Sequence, residues 1–183
     1  MSIEFEAQEI EYAKQILADS PKRLRRAAAN AVNRTIAHLG KEISVQVRKE
    51  YIVTAGEVKK ALAVRRASRE RLTGQISALG RPLTLNVFKI TKPKAGALRA
   101  KVRKSSSPKP LKGTFLGVAH KGYEGAMRRV GSNSYPLEVP YGPSVPQMVG
   151  NKAVTEPIEK EAEEYLNRRF LHEAEQQLRM KGR

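Results

Sequence analysis

The sequence predicts an α+β protein: a long N-terminal helix packed on a small antiparallel β-sheet with a protruding basic hairpin, plus a C-terminal helix. Three observations predict it. Apolar side chains recur at three- and four-residue steps from residue 21 to about 51, alternate at period two between 72 and 130, and return to the helical step in 152–181. With 40% hydrophobic residues, no Trp and four Phe among 183 residues, the core should be mostly aliphatic. That length fits a single domain over 1–183 carrying helical extensions.

The elements follow in order. Ile3, Ala7, Ile10 and Leu17 make residues 3–18 a short amphipathic helix with its acids outward. Ser20 can cap the next helix and Pro21 suits its first position. In that helix Leu24, Ala28, Ala31, Val32, Thr35, Leu39, Ile43 and Val47 form one stripe, interrupted only by Gly40, which kinks it or costs roughly 1 kcal/mol relative to Ala. At 1.5 Å per residue it would be about 45 Å long. Thr54-Ala55-Gly56-Glu57 reads as a capping box opening a helix over 55–63.

Leu72, Gly74, Ile76 and Ala78 then alternate as a first strand, approached by Arg65, Arg66, Arg69 and Arg71. Arg81-Pro82 turns into a second strand, Leu83 to Ile90, and further strands are expected at 113–120 and 122–130. Residues 135–149, with Pro136, Pro140, Pro143 and Pro146, should cross the surface as an extended strand and rigid loop. Pro157 should open the closing helix, placed within 152–181, which carries a weaker stripe of Ile158, Ala162, Tyr165, Leu166, Phe170 and Leu178.

The net charge of +17 is unevenly distributed. Residues 20–113 hold 24 basic and four acidic side chains, whereas 1–19 hold five acids and one Lys, and 151–183 hold seven of each sign. Within the basic region, Lys89 to Lys112 carries nine cations and no acid. Its ends read as strands, and Leu98, Ala100 and Val102 alternate with Arg99, Lys101 and Arg103, so those three cations could be reversed without touching the core. Charge runs are commonly solvated loops, but a loop serving only solubility would mix signs. The stretch is therefore a candidate polyanion contact, with Lys92, Lys94, Arg99, Lys101, Arg103, Lys104, Lys109 and Lys112 as its DNA-facing residues.

No catalytic constellation accompanies it. His38, His120 and His172 are isolated and read as surface or packing residues; no phosphate-cradling, nucleophile-elbow or zinc-protease motif occurs. The acids Glu159, Glu163 and Glu173 read as ordinary helix-face partners of Lys160, Arg168 and Arg169. The absence of Cys removes disulfide and thiolate chemistry, and no run of about 18 apolar residues marks a membrane helix. No cofactor, metal site or enzymatic activity is expected. The acidic N-terminus lacks the basic-then-apolar order of a signal peptide, which predicts a product made in the cytoplasm.

Several segments together resemble the minor tail protein Z family of phages and prophages. Arg129, Tyr135-Pro136-Leu137 and Gly142-Pro143-Ser144-Val145-Pro146 are similar to its basic residue, apolar-Pro-apolar turn and Pro-rich element. Upstream, Asn30, Asn33, Arg34 and Thr35 lead into Arg48-Lys49-Glu50-Tyr51 as in its N-terminal helix, and Gly80-Arg81-Pro82-Leu83 fits its central pattern. The resemblance runs from about residue 22 to 165 in the family's order.

It implies a structural virion protein of the tail or neck, folded like head-to-tail joining proteins. Such proteins form rings, usually of six, around the DNA channel. The implied partners are copies of itself, the tail terminator and head–tail connector, and virion DNA, with no membrane. Tyr141, Gly142, Pro143, Ser144, Val145 and Pro146 are the expected interface loop between subunits. The competing reading is a sequence-independent cellular nucleic-acid-binding protein, which the charge supports equally but which would commonly interleave aromatics with the cations. A phage nuclease is a further alternative, opposed by the lack of an acid cluster for metal.

Overall fold

A computed structural model of the chain describes residues 21–94, 96–118 and 122–180; the helix expected over 3–18 lies outside them, as do His120 and the ends of two expected elements. The elements run α1 (Pro21–Glu50), α2 (Ala55–Lys60), β1 (Leu62–Arg65), β2 (Gln75–Ala78), a 3-10 turn (Leu85–Val87), β3 (Lys89–Thr91), β4 (Arg99–Lys101), β5 (Lys109–Pro110), β6 (Thr114–Val118), β7 (Glu124–Arg129), β8 (Leu137–Glu138), α3 (Val145–Val149) and α4 (Lys152–Arg179). The α+β class holds. The antiparallel strands, however, form three small sheets, β1-β2, β3-β4-β5 and β6-β7-β8.

Residues divide into two compact units, the first drawing on 21–46, 62–78 and 152–180 among those described. In it α1 runs through Gly40 unbroken. Its Ala29, Ala31, Val32 and Ile36 bury against Leu166, Phe170 and Ala174 of α4, with Ala67 completing the cluster and Leu24, Ala28, Leu72, Ile76 and Leu178 around it. The small alanines keep helix propensity high. Thr35 stays buried on this face because its hydroxyl donates to the Ala31 carbonyl at 2.9 Å.

The α4 helix starts at Lys152, with Pro157 inside it. A proline that close to the start removes one intrahelical donor but cannot split a long helix held by Val154, Ile158, Ala162 and Leu166, all buried. The strand at Leu62–Arg65 was not expected. Its side chains after Leu62 are all exposed, so it carries no alternation, and pairing with β2 (Val64 opposite Ile76) is what makes it a strand. For the same reason the capped helix stops at Lys60 and not at 63; of the expected capping box only the Thr54 half forms, its hydroxyl accepting from the Glu57 N–H at 3.3 Å, while the Glu57 carboxylate accepts from Lys60 at 3.0 Å.

The second unit comprises 47–61 and 79–151. The strand expected over Leu83 to Ile90 is interrupted by the 3-10 turn, with Thr84 bridged to Tyr141 before it and strand β3 beginning at Lys89. The turn buries Leu85 and Phe88 and aims Asn86 at β7. There the Asn86 carboxamide accepts from the Ala126 N–H at 3.2 Å and donates to the Glu124 carbonyl, standing in for a neighbouring strand. The real neighbour, β8, joins only at Arg128 and Arg129. A Cβ at Gly125 would fall on that carboxamide, so only Gly admits the contact.

The Pro-rich segment also departs from expectation at one end. Residues 145–149 are helical, because Ser144 and Gln147 form a reciprocal capping box (2.9 and 3.4 Å) and Pro146 occupies the first turn.

Candidate nucleic-acid interface

The basic stretch folds as the sheet β3-β4-β5. Its register pairs Lys89 with Lys101, Ile90 with Ala100 and Thr91 with Arg99, while Arg99 and Ala100 also face Pro110 and Lys109. Directly opposed residues share a face, so Lys89, Thr91, Arg99 and Lys101 line one side, and Ile90, Ala100 and Leu98 the other. Burial follows that division: Leu98 and Ala100 are buried, while Lys89, Thr91 and Arg99 are exposed and Lys101 is half-buried. The predicted alternation therefore appears across 98–100 and fades at Lys101 and Val102, both half-buried.

Two like charges directly opposite each other weaken a strand pair, by roughly 0.2–1 kcal/mol for cross-strand neighbours. Here nothing offsets the Lys89–Lys101 repulsion, since among the described residues no cation between 89 and 112 makes an ion pair. An external anion would remove that cost. Seven of the nine cations are Lys, which act as point charges toward phosphate without fixed bidentate geometry.

The predicted DNA-facing residues are not all on that side. Arg99 and Lys101 are, and Lys89, omitted from the expected set, joins them through the register. Lys92 and Lys94 lie exposed between β3 and β4, and Lys112 lies exposed before β6. Lys109 pairs with Ala100, which places it on the opposite face. Lys104 is exposed, and its backbone N–H is tied to the Glu50 carbonyl at 2.8 Å.

Arg103 is a correction. Its guanidinium lies 5.4 Å over the ring of Tyr51, which is buried and accepts from Asn151 at 2.8 Å, so Arg103 belongs to the packing and cannot be reversed without consequence. Backbone bonds fasten the segment on both sides of β4: the Ile52 N–H donates to the Val102 carbonyl at 2.9 Å and the Leu111 N–H to the Leu98 carbonyl at 2.7 Å.

In the expected interface loop, Tyr141 is exposed, Gly142, Pro143 and Pro146 are half-buried, and Ser144 and Val145 are buried. The Gly142 N–H donates to the Leu83 carbonyl at 2.8 Å, and a Cβ there would stand 2.5 Å from the Phe88 ring.

A second polar constellation went unread in the sequence. Glu173, taken above as a helix-face acid, is 1% exposed. One carboxylate oxygen accepts from Arg34 Nε and Arg169 Nη2, each at 2.8 Å, and the other from Asn30 at 3.2 Å. The signal was present, because Glu173 and Gln177 lie on the stripe that runs from Phe170 to Leu178. His38 also has a packing role, stacked at 4.0 Å on Tyr165 and bonded to Glu161 at 2.8 Å. His172 is exposed and meets Gln176 at 3.1 Å.

Among the described residues no group of three or more His, Cys, Asp or Glu could hold a metal ion, and no helix is long and apolar enough to cross a membrane. Burial raises the Tyr123 hydroxyl above its ordinary pKa.

Fold and surface together define an α+β protein whose β3-β4-β5 sheet carries cations that make no ion pair among the described residues. A family model described as prophage minor tail protein Z (GPZ) matches residues 10–182, and the chain belongs to that family of structural phage tail proteins. No curated protein and no solved structure matches it. The residues that carried the resemblance in α1 hold the scaffold: Asn30 and Arg34 bind Glu173, and Asn33 clamps Ala67.

Proposed function

We propose that the protein is a tail-completion or neck component that assembles as a ring of six of its own copies at the head–tail junction, with the β3-β4-β5 sheet turned toward the DNA end. One observation supports this reading: Lys89, Arg99 and Lys101 share a face and make no ion pair among the described residues. Repetition around a ring multiplies a weak contact per subunit, and the contact is sequence-independent because it is made to phosphates. In this reading Tyr141, exposed beside the fastened Gly142–Pro146 segment, is the side chain offered to a neighbouring subunit, and the tail terminator and connector are the flanking partners.

The test is complementation of a phage lacking the protein, with electron microscopy of the same particles. Chains carrying Lys89→Gln, Arg99→Gln and Lys101→Gln should join heads to tails yet give a reduced titre. Wild-type titre from that variant, or particles in which no ring of this chain is found, would overturn the proposal.

A further inference from the structure

The first unit presents a different kind of cationic element. Residues 65–71, RRASRER, hold four Arg, no Lys and one acid, and Arg65, Arg66, Arg69 and Arg71 are all exposed. The backbone beneath them is fastened. Ala67 is 8% exposed and seated in the apolar cluster of α1 and α4, with Leu72 packed against the same cluster. The Asn33 carboxamide grips Ala67 from both sides, donating to its carbonyl at 3.0 Å and accepting from its N–H at 2.8 Å. The Ser68 N–H donates to the Arg71 carbonyl at 2.8 Å, and the Arg71 N–H to the Ser68 hydroxyl at 3.1 Å, closing a turn. Among the described residues none of these four guanidinium groups makes an ion pair.

We propose that this Asn33-pinned arginine turn is a second phosphate-binding element for the nucleic-acid backbone, in the unit that does not carry the lysine sheet. Arginine is the residue for bidentate recognition of phosphate oxygens, and its planar fork gains most where the backbone is already fixed. The lysine-rich sheet supplies diffuse attraction, whereas a fixed fork array holds register along the strand. The inference rests on the DNA reading for the identity of the polyanion, but on separate residues and a separate unit. Asn33 is a positioning residue in it, acting through Ala67.

The test is fluorescence anisotropy of the full chain on a short random-sequence DNA duplex across a salt series. Arg66→Gln, Arg69→Gln and Arg71→Gln together should lower the slope of log affinity against log salt by about 2.7, the value for three phosphate contacts. Arg66→Lys, Arg69→Lys and Arg71→Lys keep the charge and should keep the slope while weakening binding several-fold through loss of the forks. Asn33→Ala should weaken binding at unchanged slope. Equal affinity of the wild type and the Lys triple, or an unchanged slope in a folded Gln triple, overturns the proposal and indicates a contact with an acidic protein or none. Loss of binding on changing the lysine sheet alone leaves the sheet reading standing without the turn, and loss on changing the turn alone does the reverse.

Discussion

Replacing Lys89, Arg99 and Lys101 together by Gln should move affinity and stability in opposite directions. The three share one face of β3-β4, and none is ion-paired among the described residues, so their removal breaks no internal bridge. If each neutralises one phosphate, the slope of log affinity against log salt falls by about 2.7, which corresponds to roughly 500-fold weaker binding at 0.1 M salt when 1 M is the reference. Folding should gain, because the Lys89–Lys101 opposition disappears: relief of about 0.2–1 kcal/mol is expected for a like-charged cross-strand pair. For a chain of this length that is roughly 0.4–4 °C in Tm. Salt-dependent anisotropy on duplex DNA and a thermal melt monitored by circular dichroism provide the two readouts. A variant that binds as wild type, or that melts well below it, refutes the reasoning, since the first removes the polyanion contact and the second shows that these cations have internal partners.

Three further expectations concern the scaffold. Glu173→Ala leaves Arg169 and Arg34 without their shared buried acceptor and should cost about 1–3 kcal/mol, read as a lowered urea midpoint, with Glu173→Gln costing less; equal midpoints for Glu173→Ala and wild type would contradict the network. Gly125→Ala should displace the Asn86 carboxamide and expose the Ala126 amide, so faster hydrogen exchange at Ala126 is expected, and unchanged protection would deny Asn86 its strand-like role. Thr54→Ala removes the N-cap of α2 and should cost about 1 kcal/mol, restored largely by Thr54→Ser, in the same denaturation assay.

Local periodicity was enough to determine the long helices and one face of the basic strand. The stripe from Leu24 to Val47 predicted α1, and the alternation of Leu98, Ala100 and Val102 with Arg99 and Lys101 gave the correct inward and outward sides of β4, because both patterns are set by side chains a few residues apart. The charge layout was likewise a property of the chain as written. Tertiary structure decided whatever depended on partners distant in sequence. Leu62–Arg65 is a strand only because Gln75–Ala78 lies beside it, and Leu83–Ile90, which alternates like a strand, turns instead because Asn86 finds β7. Lys89 joins Arg99 and Lys101 only through the strand register, while Arg103 leaves that group for the Tyr51 ring. Glu173 reads as a solvated helix acid until α1 brings Asn30 and Arg34 to it. A polar side chain is stable in a core only when its bonds are satisfied, and those bonds come from residues that a local window of sequence does not contain.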